Sequence, residues 1–333
     1  MNDLLRPLRL ALPAVALAAL AFLAVAAPAT ARSVLAELRV EGPSGTLDPG
    51  TWYATVTERI RRSGSGDECV RRDGAIRVPG ATAMGLPQTG SESNQALRQV
   101  RVRRDEAGLF VCEIASVLGR PFSDPDGFSG WTYWQDYVAG TASADRVMLR
   151  RGDRILWAYS DFGTTTPLNQ GDALELRSVD PGTTDGEFEV RVVAHSFDGG
   201  TSPAEGVTIE GASTVTALGN GRYGLTVGEG FSTLQASRGL DIPSQPIETC
   251  FRAGPAPCPR AHGRTIVGSP LGDALPGTRG WDEIDAGRGP DRIEIATGGR
   301  DQVRCGPGVD TVVRKRGDRN DDIHGSCERT RSA

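Results

Sequence analysis

The sequence predicts a mainly β, multidomain chain, and three observations carry that prediction. First, short runs alternate apolar and polar residues, as in Val34-Leu35-Ala36-Glu37-Leu38-Arg39-Val40 and Phe188-Glu189-Val190-Arg191-Val192-Val193-Ala194, and alternation with period two sends side chains to opposite faces of a strand. Second, turn residues such as Gly152-Asp153 and Gly219-Asn220-Gly221 separate such runs, as expected for strands joined by tight turns. Third, Asp273, Asp282, Asp291, Asp301 and Asp310 recur every nine residues, with one step of ten, and an aliphatic residue follows each by two: Leu275, Ile284, Ile293, Val303 and Val312. A fixed period of this kind is the mark of stacked repeat units.

The N-terminus sets the compartment. Arg6 and Arg9 precede an apolar run over residues 10–27, and Ala29-Thr30-Ala31 supplies a small-x-small cleavage site, so residues 1–31 read as a secretory signal peptide. Pro13 interrupts the run, which suits a cleaved leader better than a membrane anchor. No second apolar stretch of spanning length follows. The mature protein is therefore expected outside the cell, secreted or held at the envelope, without a transmembrane segment. Taking Arg6, Arg9 and Asp3 from 37 basic and 42 acidic residues leaves 35 against 41, an acidic balance that argues against a nucleic-acid partner. Length predicts two or three domains.

The first mature domain, residues 32–163, opens with the strand at Val34, which places Ala36, Leu38 and Val40 on one face. It closes on the densest aromatic cluster of the chain. Trp131-Thr132-Tyr133-Trp134 leads through Tyr137 to a Gly152-Asp153 turn, read as a hairpin, and then to Ile155-Leu156-Trp157-Ala158-Tyr159. The order Gly-Trp-x-Tyr, an excursion, then Gly-Asp-x-aliphatic-x-Trp-x-Tyr over residues 130–159 resembles the transcobalamin-like C-terminal domain, a domain of unknown function in many secreted bacterial proteins. The resemblance implies a β-grasp-like α+β module able to take a small ligand of the cobalamin type, with Trp131, Tyr133, Trp157 and Tyr159 as the candidate contacts. The same four aromatics also read as plain core and strand-face residues.

Residues 164–249 carry short strands at regular spacing with turns between them, the signature of an immunoglobulin-like β-sandwich. Gly206-Val207-Thr208-Ile209, Tyr223-Gly224-Leu225-Thr226-Val227 and Leu234-Gln235-Ala236-Ser237-Arg238 are its further strands. Similar modules in secreted bacterial proteins act as spacers or adhesive units. Thr164-Thr165-Thr166-Pro167 and the proline-rich residues 250–263 read as connectors.

The nonapeptide region, residues 264–333, combines aspartate with glycine. Gly280, Gly289, Gly299 and Gly308 stand two residues before four of the aspartates, giving G-x-D-x-aliphatic units. Two units make one coil of a parallel roll, so Asp273, Asp291 and Asp310 line one edge while Asp282 and Asp301 line the other. Stacked carboxylates repel, and oxygen-only ligands suit a hard Ca²⁺ ion between layers. Counting layers allows at most three ions. The pattern resembles the repeat-in-toxin, or hemolysin-type, calcium-binding nonapeptide, which implies a parallel β-roll that binds calcium through Asp273, Gly280, Asp282, Gly289, Asp291, Gly299, Asp301, Gly308 and Asp310. Several units depart from that pattern, with Leu271, Thr278, Ala286 and Cys305 where it has glycine.

Six cysteines in an exported chain, with no C-x-x-C spacing, indicate three disulfides rather than metal thiolates. Sequence alone leaves the connectivity open. The simplest pairing is sequential: Cys69 with Cys112, Cys250 with Cys258, and Cys305 with Cys327, the last bracketing the end of the roll. No catalytic constellation emerges. His195, His262 and His324 are scattered, and Gly211-Ala212-Ser213-Thr214-Val215 lacks the closing glycine of a nucleophile elbow. Leu86-Pro87-Gln88-Thr89-Gly90 spells a sorting pentapeptide but is followed by polar residues, and Arg151-Gly152-Asp153 and Arg316-Gly317-Asp318 are explained by turn chemistry. The expected function is that of a non-catalytic secreted protein whose repeats bind calcium and fold outside the cell, structural or adhesive toward an envelope or protein surface. The alternative is a soluble small-ligand, cobalamin-type binding protein.

Overall fold

The computed structural model describes residues 33–63, 69, 71–104, 108–120, 124–163, 171–178, 186–254, 258, 262–295, 299–316 and 320–333. Residues 1–31, expected to be a signal peptide, residues 164–167, expected to be a connector, and Gly317 and Asp318 lie outside the described residues. Residues Arg32–Ala333 form one compact unit.

A single large sheet organises the molecule. Its centre is Val34–Gly42 (β1), paired antiparallel with Gly45–Thr55 (β2). The first module adds Glu58–Ser63 (β3), Arg71–Val78 (β4), helix Leu86–Ser93 (α1), Arg101–Arg104 (β5), Leu109–Ile114 (β6), Val117–Leu118 (β7), Phe128–Gln135 (β8), Val138–Ala139 (β9) and Arg154–Gly163 (β10). β10 runs parallel to β1 and antiparallel to β8. The order β2-β1-β10-β8, with its parallel central pair and a helix on one face, is a β-grasp arrangement.

Alternation gives this sheet two working faces. Ala36, Leu38, Val40, Tyr53, Ile155 and Trp157 point into a core closed by α1 and by the five-stranded sheet β4-β3-β5-β6-β7. Leu35, Trp52 and Ala54 belong to the core of the C-terminal roll instead, and Trp134, Leu156 and Ala158 to the seam with the second module. The sorting-like pentapeptide is the start of α1, with Leu86, Pro87, Thr89 and Gly90 buried against the first core.

The turn at Gly152 differs from the hairpin expected there. Gly152 has φ +97, but the segment before it is spent elsewhere: Leu149 N–H donates to the Ala81 carbonyl and Gly152 N–H to that of Leu35. The antiparallel partner of β10 is β8, reached through a long excursion.

The second module comprises Ala173–Ser178 (β11), Glu187–His195 (β12), Thr201–Pro203 (β13), Thr208–Glu210 (β14), Thr214–Gly219 (β15), Arg222–Thr226 (β16), Gly230–Ser237 (β17) and Ile247–Phe251 (β18). One sheet runs β11-β12-β16-β15 with β13 on β12, the other β14-β17-β18. They enclose one core, in which Leu176, Phe188, Val190 and Leu225 meet Ile209 and Leu234. The Asn220-Gly221 turn has both residues at positive φ, 55 and 69, the conformation a two-residue hairpin requires. Cys250 lies in β18 opposite Phe231, so it belongs to this module rather than to the connector expected from residue 250.

The third module coils through His262–Val267 (β19), Ala274–Pro276 (β20), Trp281–Asp285 (β21), Arg292–Ile295 (β22), Gln302–Arg304 (β23), Thr311–Arg314 (β24), Asp322–Ile323 (β25) and Arg329–Ser332 (β26). Odd strands stack parallel as β19-β21-β23-β25 and even strands as β20-β22-β24-β26. The aliphatic column Leu275, Ile284, Ile293, Val303 and Val312 fills the space between the stacks at no more than 1% exposure each. β19 also pairs parallel with β2, Ile266 opposite Trp52, so the roll continues the sheet of the first module into nine strands.

The disulfides are Cys69–Cys112, Cys250–Cys258 and Cys305–Cys327. The last links successive coils at the far end of the roll, and a loop of that size is worth about 3 kcal/mol. The terminal strand β26 is exposed and carries Arg329 and Arg331, charges that discourage edge-to-edge pairing.

One buried acid makes the first module sensitive to pH. Glu58 is 8% exposed and accepts a hydrogen bond from Thr89 Oγ1 at 2.9 Å. Burial pushes its carboxyl up from 4.5 to about 7; the Thr89 hydroxyl opposes this, and the Glu92 carboxylate adds to it. A raised carboxylate pKa contributes stability that is fully present below the unfolded value and is lost as pH rises through the folded one. Glu58→Gln is therefore expected to change stability little near pH 4.5 and to raise it by about 1–3 kcal/mol at pH 8, read by urea unfolding at both pH values. An equal effect at the two would refute the assignment.

Candidate functional site: a carboxylate ladder along the roll

The repeat aspartates are among the most buried charged residues of the chain. Asp282, Asp301 and Asp310 are fully buried, Asp291 is 3% exposed and Asp273 5%. They fall on two edges as the nine-residue spacing requires. On the first edge each carboxylate after Asp273 accepts the backbone N–H of its counterpart one coil earlier: Asp273 N–H to Asp291 at 2.8 Å, Asp291 N–H to Asp310 at 2.8 Å, and Asp310 N–H to Glu328 at 2.9 Å. On the second edge Arg264 N–H donates to Asp282 at 2.6 Å, Asp282 N–H to Asp301 at 3.0 Å, and Asp301 N–H to Asp321 at 3.3 Å. The ladder puts an amide donor between successive carboxylates and so relieves part of their repulsion without an ion.

Sequence reasoning missed three members of this ladder. Glu328 and Asp321 extend the edges by one coil, and Arg264 holds the aspartate position of the first coil with Ile266 two residues later in the aliphatic column. The signal was the distance from an aspartate, a step of 18 from Asp310 and 20 from Asp301, but the residue type or the step had changed. The first module closes the top. Ser33 Oγ donates to Asp273, which also accepts Ser269 N–H at 2.5 Å and Ser269 Oγ at 3.0 Å.

The glycines answer to close stacking. A Cβ on Gly308 would lie 1.8 Å from the Gly289 carbonyl oxygen and 2.9 Å from Asp310 Oδ1, and one on Gly299 would lie 2.1 Å from the Gly280 oxygen and 2.8 Å from Asp301 Oδ1. Gly289 and Gly299 also sit at φ +107 and +145. Carbonyl and carboxylate oxygens thus converge beside Gly308 on one edge and Gly299 on the other. Among the described residues, two carboxylate oxygens, Asp291 Oδ2 and Asp310 Oδ2, are buried with no hydrogen-bond partner. Burial pushes the Asp291 carboxyl up to about 7; the Asp273 N–H opposes this, and the Asp273 and Asp310 charges add to it. Asp273 is raised as well, chiefly by burial. This oxygen-only donor set fits a hard cation. Among the described residues no three acidic, histidine or cysteine side chains gather into a metal cluster, so main-chain carbonyls would have to supply much of any coordination.

The aromatic candidates of the first module come together in part. Trp131, Tyr133 and Trp157 line a cavity of about 550 Å³ with Met84 and Leu109. Tyr159 does not line it; its ring packs edge-on against Trp131 at 5.5 Å and its hydroxyl lies 2.6 Å from Ser129 Oγ. The polar atoms of the wall are satisfied within the protein: Trp131 Nε1 donates to the Val117 carbonyl, Tyr133 Oη to that of Ala142 and Trp157 Nε1 to that of Ala83. The histidines stand apart, His195 stacked on Tyr137 and paired with Glu175, His262 paired with Glu248. Among the described residues no helix is long and apolar enough to cross a membrane. Comparison with known family models, with curated proteins and with solved structures finds no match.

Proposed function

We propose that this chain is a secreted, non-catalytic scaffold whose C-terminal roll is ordered by calcium outside the cell, with a structural or adhesive role toward an envelope or protein surface. The observation that carries this reading is the pair of buried oxygens Asp291 Oδ2 and Asp310 Oδ2 on one edge of the roll, without a partner among the described residues. The resemblance of the G-x-D-x-aliphatic units to repeat-in-toxin nonapeptides supports it. Calcium, when bound, supplies the positive charge that a column of carboxylates lacks. The chain's own groups do the rest: the amide ladder holds one oxygen of Asp291 and of Asp310 and thereby aims the other, while glycine lets carbonyl oxygens approach; Asp273 and Asp282 already engage both oxygens, with Ser269 and with Arg264 and Thr278. Because β19 pairs with β2, order in the roll passes directly into the first module's sheet.

In a cytosol poor in calcium, carboxylate repulsion keeps the tail loose for export, and extracellular modules work at roughly 10⁻⁴–10⁻³ M. The test is a calcium titration of residues 32–333 followed by calorimetry and circular dichroism. The expected result is a stabilisation of about 1.4 kcal/mol at a tenfold excess over Kd, strongly reduced in Asp291→Ala. An unchanged melting profile up to millimolar calcium would sink the calcium role. The cavity of about 550 Å³ behind Trp131 and Trp157 favours a second reading, in which the first module also holds a small ligand.

A further inference from the structure

We propose that this cavity takes a flat aromatic ligand bearing an acidic group, with Arg146 at its mouth pairing the charge. The inference rests on the second reading above and specifies its ligand chemistry. The volume, about 550 Å³, is on the scale of a small-molecule pocket, roughly 300–1,000 Å³, and far beyond the space of a single buried water. Its inner wall is three aromatic rings whose polar atoms are all spent on backbone carbonyls. What they offer a guest is carbon faces, which favour offset or edge contact with another ring.

Two large apolar side chains stand at the rim. Phe110 and Phe197 line it at 40% and 45% exposure, and exposed large side chains at a cavity mouth mark a binding surface. Among the described lining residues charge enters at one point. Arg146 lines the cavity, and no described carboxylate pairs with it. The neighbouring Asp145 accepts the Ser143 hydroxyl, while the Arg103 guanidinium lies over the Phe110 ring at 5.5 Å. A planar guanidinium beside an aromatic slot is suited to a carboxylate or sulfonate on a ring.

The test uses 1-anilinonaphthalene-8-sulfonate and its uncharged counterpart N-phenyl-1-naphthylamine on residues 32–333, read by probe fluorescence and by quenching of tryptophan emission. Both probes are expected to saturate one site per chain, with the sulfonate bound about fivefold more tightly, the scale of one surface charge pair. Arg146→Gln should abolish that preference and leave the neutral probe unchanged. Thr141→Trp, an exposed rim position, should weaken both. Equal binding of the two probes by the parent protein, or a preference that survives Arg146→Gln, would overturn the anionic ligand while leaving the small-ligand reading standing. Absence of saturable binding by either probe would overturn both.

Discussion

Replacing Gly308 with alanine is expected to cost about 3 kcal/mol and to release the last coils of the roll before the rest of the molecule. The new Cβ would meet the Gly289 carbonyl oxygen at 1.8 Å and its carbon at 2.7 Å. Both are backbone atoms of the preceding coil, so no side chain can swing away. The only relief is to separate the coils, and separation breaks what joins them at that level: the pairing of β22 with β24 and the Asp291 N–H to Asp310 bond. Gly325→Ala is the control, since a Cβ there meets nothing within 4 Å, and it should shift stability by about 0.5 kcal/mol or less. Urea unfolding and amide exchange of the two variants give the comparison. Equal effects would mean that the coils are not in contact at Gly308, and the tight stack described above would be wrong.

Removing the Trp52 side chain has the second large effect. Trp52→Ala is expected to cost about 3–5 kcal/mol, the range for large aromatics cut from a core, and to split one unfolding transition into two. Trp52 lies in β2 of the first module, yet its ring belongs to the core of the roll, 8% exposed, with its backbone opposite Ile266. The Arg264 guanidinium sits 3.9 Å from the ring centroid, a cation–π contact that adds about 0.5–1 kcal/mol. Without the ring, the first coil loses the cap that substitutes for a preceding coil. Trp52→Phe keeps part of the apolar face and should cost less than half as much. Calorimetry on the two variants decides. A single, uniformly shifted transition in Trp52→Ala would show that the ring is ordinary core and not the coupling between modules.

Much of the fold was legible because its periods are local. Period-two alternation located β1 and β12 and correctly placed Ala36, Leu38 and Val40 on one face. The nine-residue echo located both edges of the roll and its aliphatic column. Where a local signal had two explanations, reading failed: Gly152-Asp153 is a turn, but not of a hairpin, because Leu149 before it bonds to Ala81 and Gly152 itself to Leu35. The candidate site was legible by residue and not by interaction. Spacing identified five aspartates, whereas Arg264, Asp321 and Glu328 hold equivalent places with another residue type or step.

By itself, then, the sequence determined a mainly β chain, the strands with their inward faces, and a coil of two units per turn carrying carboxylates on both edges. Alternation and repeat length need only neighbouring residues to be read. Tertiary structure alone decided that β19 joins β2, that Trp52 and Ser33 cap the roll, and that Asp282, Asp291, Asp301 and Asp310 each accept an amide of the previous coil. A parallel pairing between strands some 210 residues apart leaves no trace in turn length or periodicity. It is selected by the apolar faces and unpaired edges left over once each module has closed its own core.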